Sequence, residues 1–323
     1  MYKNYAVATP VGHDAHHDAL LTNLAIAAFA GAEGFIAQSV FPSVPVGKES
    51  DRYFIIDPDS WLLVPDTRRA RKTRPNRVEF KVSSDAYFAD NYALAGENAL
   101  EDLANADMAL QLRENTVSVV TDGLLRDLEV RVANLVTSAS NLGSGVALTG
   151  AAKWSDYAGS DPVADVTTGH ATIRGVTGLT ANVAIIDYDT MATLRRHPLM
   201  LDMYKYTQGG EVTDAQLAAA FKVQRILIGN GVKNNAKENA AASITNIWGN
   251  NCILARITAP TGLKTATLGL GFRWRPEGIA SDMQAVRYND PDPGKKIEVI
   301  EAGYYQDEKI VASKLGYAIT GTL

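Results

Sequence analysis

Three histidines and two aspartates near the start of the chain are the residues best suited by type to bind a metal ion. The cluster consists of His13, Asp14, His16, His17 and Asp18. Imidazole and carboxylate groups are ligands that zinc and manganese accept. A metal site also needs supporting hydrogen bonds around its ligands, and no second group of histidines or acids completes this shell. We therefore expect a solvated turn and no metal, and a metal-dependent enzyme is the least favoured alternative.

The sequence contains none of the short signatures that mark common catalytic sites. It has no G-x-S-x-G, H-E-x-x-H or G-x-x-x-x-G-K-[ST] motif. Gly229–Gly231 and Gly269–Gly271 lack the third glycine that dinucleotide binding needs. Asp290–Gly294 differs from a calcium loop because prolines occupy two of its positions, so a hairpin turn is expected. We expect no catalytic residue, no cofactor and no enzymatic activity.

A run of basic residues between two strand-like stretches is the strongest local signal. Seven positive charges gather there with only Glu79 against them: Arg68, Arg69, Arg71, Lys72, Arg74, Arg77 and Lys81. One hypothesis is contact with nucleic-acid phosphates. The other is electrostatic docking onto an acidic surface of a neighbouring subunit. Docking is favoured because no aromatic residue lies among the arginines, as a base-stacking platform would require.

The candidate acidic docking patch lies farther along the chain, at Glu97, Glu101, Asp102 and Asp107. The whole chain carries a formal net charge of -5 and a pI of about 5.6, so bulk charge does not indicate a nucleic-acid binder. Its 323 residues, 46% of them apolar, fit about two domains with a sizeable core. The single cysteine, Cys252, excludes an internal disulfide and is typical of a reducing cytoplasm.

The longest predicted element is a helix over Asn105–Thr137. Its apolar residues recur at spacings of three and four, at Val117, Val120, Leu124, Leu128, Val132 and Leu135. Asp122, Arg126 and Glu129 are predicted on the opposite, solvated face. At ~1.5 Å per residue this helix would be about 50 Å long. One compact core cannot cover such a length, so other segments must lie along it.

The residues before this helix are predicted to form an arm and a hairpin. A short helix is expected over Ala15–Ala30, and prolines alternating with apolar residues predict an extended Phe41–Gly47. This extended segment packs either on another subunit or on its own domain, and the sequence leaves both open. Residues 51–95 are predicted to form a long β-hairpin with limbs at Arg52–Ile56 and Arg77–Val82.

The residues after the long helix are predicted to change from loops to a mixed α/β region and then to strands. Residues 138–181, rich in Ser, Thr, Gly and Ala, are predicted to be mainly loops. Helices are expected over Asp187–Arg196 and Thr213–Val223. Strands are expected over Val183–Ile186, Gln224–Ile228, Asn251–Ile257, Leu268–Trp274, Ala285–Tyr288, Lys296–Ala302, Lys309–Ala312 and Gly316–Ile319, with turns at Asn289–Gly294 and Gln306–Glu308.

In this order the segments resemble a tailed-bacteriophage major capsid protein of the HK-ninety-seven fold. The stretches that carry the resemblance are FPSVPVGKESDRYFII, YALAGENALEDLANAD, ANVAIIDYDTMATLRRHP, GVKNNAKENAAASITNIWGNNCIL and EVIEAGYYQDEKIVASKLGYAITG. They span most of the chain. The resemblance rests on the order of these patterns, since no single motif is diagnostic.

The resemblance implies an α+β fold with four parts. Residues 1–50 would be the N-terminal arm and residues 51–95 the extended β-hairpin loop. Residues 96–175 and 281–323 would form the peripheral domain with its long spine helix. Residues 176–280 would form a mixed α/β axial domain that meets its copies around symmetry axes.

The function implied is self-assembly into pentamers and hexamers that form the icosahedral head of a tailed phage around double-stranded DNA. The protein would be located in the virion capsid after assembly in the host bacterial cytoplasm, with no membrane contact and with portal, scaffold and decoration proteins as candidate partners. A helix starting near residue 105 leaves no room for a large N-terminal scaffolding domain, so a separate scaffold or none is expected. The alternative within the same fold is an encapsulin-like compartment that holds protein cargo.

Overall fold

A computed structural model describes residues 16–17, 19–30, 34–55, 62, 64–69, 71–75, 77, 83–105, 109–205, 212–237, 240–259, 266–277, 282–290, 292 and 294–323. The chain divides into two compact units. The first unit comprises Met1–Glu33, Asp90–Leu125 and Arg275–Tyr305. The second comprises Gly34–Ala89, Arg126–Trp274 and Gln306–Leu323.

The first unit is built on four strands within its described residues. These are β1 (His16–His17), β5 (Asp90–Ala99), β13 (Gln284–Asn289) and the first part of β14 (Ile297–Ile310). β13 lies between β1 and β14 and pairs antiparallel with both, and β5 also pairs with β14. Helix α1 (Ala19–Ala30) joins this sheet through Thr22, whose hydroxyl donates to the Ala285 carbonyl at 3.3 Å. Helix α3 (Leu100–Asn105) follows β5.

The second unit contains a five-stranded sheet in the order β6 (Gly145–Ala147), β15 (Gly316–Thr320), β11 (Asn251–Ala255), β7 (Val183–Asp187) and β8 (Arg225–Gly229). Every residue of β7 is buried, as expected for a strand covered on both faces. The core on this sheet includes Trp154, Ile173 and Phe221, all at most 1% exposed. Five helices of this unit follow α4 (Ala109–Thr137) in the chain: α5 (Ala139–Leu142), α6 (Pro162–Thr177), α7 (Tyr188–Arg195), α8 (Pro198–Tyr204) and α9 (Asp214–Ala220).

Three shorter strand pairs complete the second unit. After helix α2 (Ala37–Val40), β2 (Ser43–Val46) pairs in parallel with β12 (Gly269–Trp274). β3 (Ser50–Ile55) pairs with β4 (Ser83–Phe88), and β9 (Val232–Asn234) pairs with β10 (Ile244–Asn246). The predicted extended segment Phe41–Gly47 therefore packs on its own chain through β12, and a contact of this segment with another subunit stays a prediction.

Helix α4 (Ala109–Thr137) is the predicted spine helix, and its 29 residues span about 43 Å. Its buried apolar residues are Val117, Val120, Leu124, Leu125, Leu128, Val132, Ala133 and Val136. Asn141, just beyond the end of the helix, donates its side-chain amide to the Leu135 carbonyl at 3.0 Å. Gly143 follows with a φ of +69°, in the left-handed region where glycine has no steric cost.

One face of this helix differs from the prediction. Helix α3 ends at Asn105 and helix α4 begins at Ala109, whereas residues 106–108, at the predicted start of the long helix, lie outside the described residues. Leu135 is only half-buried. Glu129, predicted on the solvated face, is completely buried. It lies four residues after Leu125 and three before Val132, so it occupies a position of the apolar stripe.

Strand β5 is one of the segments that lie along this helix. A Cβ atom at Gly96 of β5 would lie 2.4 Å from Thr116 Cγ2, so only glycine permits this approach of strand to helix. Beside it, the Thr116 hydroxyl donates to Asn98 Oδ1 at 2.8 Å. The expectation that other segments cover the long helix is confirmed within this unit.

Helix α6 lies within residues 138–181, which are predicted to be mainly loops because they are rich in Ser, Thr, Gly and Ala. The residues at its two ends stabilise the helix despite this composition. Asp161 accepts from the amides of Val163 and Ala164, Pro162 occupies the first turn, and Gly178 ends the helix with a φ of +70°. A capping residue, a first-turn proline and a terminal glycine were the signals in the sequence that could have revealed it.

The predicted turn at Gln306–Glu308 is wrong, because these residues lie within the continuous 14-residue strand β14. Gln306 and Glu308 are polar yet buried, and both find partners there. The second limb of the predicted hairpin, Arg77–Val82, lies outside the described residues except for Arg77, and β4 covers Ser83–Phe88. The α+β class is confirmed.

The predicted four-part domain division stays a prediction. Strand β15 of the predicted peripheral domain pairs on one side with β6 of the same predicted domain and on the other side with β11 of the predicted axial domain. Helix α8 and the β9–β10 pair were not predicted. Within the described part of the chain, no helix has the length and apolar content to cross a membrane.

Candidate assembly surfaces and a buried carboxylate

The basic loop consists of Arg68, Arg69, Arg71, Lys72, Arg74 and Arg77, and all six are exposed. Local hydrogen bonds shape its backbone. The Arg68 amide donates to Asp66 Oδ1 at 2.9 Å, and Arg69 Nε donates to the Thr73 carbonyl at 2.6 Å. Lys72 has a φ of +69°. The predicted positive charge is therefore accessible on one turn, whereas Glu79 and Lys81 lie outside the described residues.

The base of the hairpin that carries this loop is fixed to β12 and β14. Tyr53 and Tyr87 pack on the ring of Phe272, with centroid distances of 5.1 and 4.7 Å. Burial raises the pKa of Tyr53 to about 12, and the nearby Asp85 carboxylate adds to this. The amide of Phe88 donates to Asp307 Oδ2 at 2.9 Å. The hairpin is thus anchored at its base while the basic loop is exposed.

The acidic patch is described at three of its four residues. Glu97, Glu101 and Asp102 are exposed, and Asp107 lies outside the described residues. These three belong to the first unit, whereas the basic loop belongs to the second. Docking between the two sets stays a prediction.

Two arginines of α4 each form a two-pronged ion pair with a glutamate of β14. In the first unit, Arg113 Nε and Nη2 donate to the two carboxylate oxygens of Glu298 at 2.7 and 2.8 Å. In the second unit, Arg131 Nε and Nη2 donate to Glu308, both at 3.0 Å. The glutamate side chains are only 7% and 4% exposed. Two parallel hydrogen bonds between an arginine and a carboxylate fix the relative orientation of the two side chains and also strengthen the ion pair.

Glu308 and its neighbours form a wider polar network. Gln306 Nε2 donates to Glu308 Oε1 at 2.9 Å, and Arg273 Nε donates to Gln306 Oε1 at 3.0 Å. Arg131 also pairs with Asp127 of its own helix. These partners explain why a polar stretch of β14 is buried strand and not turn, since buried polar groups require hydrogen-bond partners.

Glu129 is the least expected residue of the structure, because it is a fully buried carboxyl group. The Ile36 amide donates to both of its oxygens, at 3.1 and 3.0 Å, and the Ala37 amide donates to Oε2 at 2.7 Å. Trp248 Nε1 donates to Oε1. Burial raises the pKa of Glu129, and these N–H donors oppose that shift. We call Glu129, Ile36, Ala37 and Trp248 the Glu129 cluster.

The predicted metal-like cluster is described only in part. His16 and His17 form β1, paired through Cα partners Arg287 and Val286, and residues 13, 14 and 18 lie outside the described residues. Among the residues that the structure describes, no group of three or more His, Cys, Asp or Glu could hold a metal ion.

The predicted hairpin turn between β13 and β14 is confirmed. Asp290 accepts there from the Asp292 amide at 2.9 Å and from Lys295 Nζ at 3.2 Å. Elsewhere, Cys252 is buried, and burial raises the pKa of its thiol.

The fold is that of phage capsid proteins of the HK-ninety-seven type, as the sequence resemblance implied. The chain is 28% identical over 306 residues to the major capsid protein of Pseudomonas phage JBD67, covering 93% of this chain and 95% of the relative. It is also 28% identical over 310 residues to the major capsid protein of Burkholderia phage BcepMu, covering 94% and 96%. No family model matches the chain.

Solved structures are similar along nearly the whole chain. A phage-related protein from Bordetella bronchiseptica superposes with a TM-score of 0.74 at 21% identity, covering 95% of this chain and 98% of that one. The capsid structure of Cyanophage P-SCSP1u gives a TM-score of 0.53 at 10% identity, covering 99% and 92%. An encapsulin complex from Synechococcus elongatus gives 0.52 at 9% identity, covering 90% and 87%. The encapsulin shares the fold, so fold alone does not separate a phage shell from a cargo compartment.

Proposed function

We propose that this protein is the major capsid protein of a tailed phage, which assembles with its own copies into the icosahedral shell around double-stranded DNA. The observation that carries the proposal is the end-to-end similarity to two phage major capsid proteins, each 28% identical over more than nine-tenths of both chains. The superposition on the capsid structure of a cyanophage supports it.

The units of assembly are pentamers and hexamers of this chain. Portal, scaffold and decoration proteins are the candidate partners, and the shell forms in the host bacterial cytoplasm. The role is structural and not enzymatic. A shell subunit needs large surfaces for its copies, and the exposed basic loop and acidic patch are suited to that role because opposite charges steer association and fix its register.

The basic loop, in this account, reaches a neighbouring subunit and docks on the acidic patch. Two features support this. The hairpin is anchored at its base by Tyr53, Tyr87 and Phe272, which leaves the charged turn exposed. Glu97, Glu101 and Asp102 are exposed as well, so they can receive it.

An encapsulin-like compartment is the second candidate, because an encapsulin shares the fold. The contents of purified particles discriminate between the two. Particles from phage-producing cells should contain double-stranded DNA that resists added nuclease. Particles that instead contain a stoichiometric enzyme and no DNA would support the compartment and contradict the phage shell.

A further inference from the structure

Two aspartates at the junction of β7 and α7 share one side-chain amide. Asn246 Nδ2 lies 3.0 Å from Asp187 Oδ2 and 2.8 Å from Asp189 Oδ2. Asp187 ends strand β7 and caps α7, Asp189 lies in the first turn of α7, and Asn246 ends strand β10. All three residues belong to the second unit. The fold therefore holds two carboxylate oxygens within reach of one atom.

The Asp187 carboxyl group is only half satisfied by these contacts. Asp187 is 0% exposed, and its Oδ2 accepts from the Asp189 amide at 3.2 Å as well as from Asn246. Its other oxygen, Oδ1, is buried and has no hydrogen-bond partner among the described residues. A buried acceptor without a partner is costly, and more so when it carries charge. Such an oxygen points to a ligand that supplies positive charge.

The negative charge of this pair has no counterion within the described part of the chain. No Lys, Arg or His there forms an ion pair with Asp187 or Asp189. Burial raises the pKa of Asp187, and the Asp189 charge adds to this shift. The amides of Asp189 and Tyr188 and the side chain of Asn246 oppose it. Because Asp189 is exposed, an ion that keeps its own waters can reach the pair from solvent.

We propose that Asp187, Asp189 and Asn246 bind a hydrated Mg²⁺ ion. A half-turn of the Asn246 amide group exchanges its NH2 for Oδ1, so that three side chains offer oxygen to one ion. Mg²⁺ requires oxygen ligands, keeps several waters and is commonly held by one or two carboxylates. The ion would neutralise the buried carboxylate and join the end of β7 to the β9–β10 pair. This inference does not depend on the proposed capsid function.

The first test is a titration of the chelator-treated chain with MgCl2, followed by calorimetry and by the thermal unfolding midpoint. The midpoint should rise saturably with MgCl2 and not with KCl at equal ionic strength, because a ligand of the folded state stabilises it. Asp189→Asn should weaken Mg²⁺ binding roughly tenfold or more. Asp202→Asn, a matched change at an exposed aspartate of α8, should leave it unchanged.

Three results of this titration would overturn the proposal. The first is a wild-type chain without a saturable response to MgCl2. The second is an equal response in D189N and D202N, which would place the ion elsewhere. The third is stabilisation by CaCl2 where MgCl2 gives none, which would assign the site to a different ion.

Asn246→Asp separates ion binding from hydrogen bonding. A third carboxylate removes the NH2 donor and adds repulsion, so the chelator-treated variant should unfold at a lower temperature than the wild type. Mg²⁺ should bind it more tightly, since affinity rises with the charge of the ligands, and should raise its midpoint more than that of the wild type. An equal loss of stability with and without Mg²⁺ would show that Asn246 only donates hydrogen bonds and would overturn the proposal. If N246D does not fold, the comparison of D189N with D202N decides alone.

Discussion

At the scale of single residues, two buried ionisable groups are held by uncharged partners. Glu129 accepts from N–H donors, and His197, which is 0% exposed, is fixed at both ring nitrogens. His197 Nε2 lies 3.0 Å from Ser160 Oγ, and Nδ1 accepts from the Leu199 amide at 3.3 Å as the N-cap of α8. Because Ser160 donates its proton to the Asp156 carbonyl, Nε2 must carry a proton and Nδ1 must accept. This is the neutral form of the ring.

Acid should destabilise the protein through His197. Burial lowers its pKa from the usual 6.5, with the Asp161 charge opposing the shift, and Tyr157 packs edge-on against the ring. Below pH 6.5 the unfolded chain then binds a proton that the folded chain resists, so the free energy of unfolding falls as the pH falls. His197→Asn, which retains an acceptor for the Leu199 amide, should flatten this slope in urea titrations between pH 5 and 8. An unchanged slope would contradict the assignment.

Gly229 tests the packing around the indole of the Glu129 cluster. A Cβ atom there would lie 2.2 Å from Trp248 Cδ1, and Trp248 is only 1% exposed. Gly229→Ala should therefore lower the free energy of unfolding by about 1–3 kcal/mol, the usual cost of overpacking. Gly175→Ala is the control, since nothing lies within 4 Å of its added Cβ. That helical glycine should give a gain of roughly 0.5–1 kcal/mol, and equal losses at both sites would contradict the packing described.

The burial of Glu129 was predictable only in part. Its spacing from Leu125 and Val132 placed it in the apolar stripe, but a charged residue is almost never fully buried unless it is paired. Its partners are backbone amides some ninety residues away and a tryptophan farther still, and nothing in the local sequence indicates either. The exposure of the basic loop, by contrast, followed from its composition.

At the scale of elements, the ion pairs between α4 and β14 join the longest helix to the longest described strand. Arg131→Met should lower the free energy of unfolding by about 3–5 kcal/mol, because it leaves the buried Glu308 carboxylate without its cation. Chemical denaturation measures this. Lys48→Met, at the exposed pair with Asp51, is the control and should change little. A loss at Arg131 no greater than at Lys48 would show that the pair does not hold the elements together.

The helices and strands were predicted correctly where the local sequence pattern agrees with the tertiary structure. Strand β7 is a continuous run of buried residues, and helix α9 begins with a capping box that Thr213 forms with Gln216. β14 was divided because Gln306, Asp307 and Glu308 have the composition of a turn. Their strand conformation depends on Arg131 and Arg273 from elsewhere in the chain. Partners so far away in the sequence cannot be predicted from the residues that neighbour Gln306, Asp307 and Glu308.

At the scale of the whole molecule, the order of segments was more informative than any motif. The fold was indicated by the succession of an arm, a basic hairpin, a long helix and a mixed α/β region. The ends of some individual helices and strands differ from the prediction. The contacts among copies cannot be derived in the same way, because they depend on surfaces whose partners lie on other chains.

The basic loop should contribute to assembly and not to folding. Reversing Arg68, Arg69 and Arg71 to Glu should leave the circular dichroism of the subunit unchanged, since all three are exposed, and should abolish or weaken shell formation by repulsion from the acidic patch. Replacing the same three residues by Lys keeps the charge and should preserve assembly. Sedimentation velocity separates subunits from shells, and shells of unchanged yield and thermal stability in the Glu variant would disprove the docking role.

The central claim is that copies of this chain close into a shell. An electron micrograph of the purified protein tests it most directly. We predict closed, isometric particles of megadalton mass. A field of discrete monomers at high protein concentration, with the partner proteins present, would contradict the account.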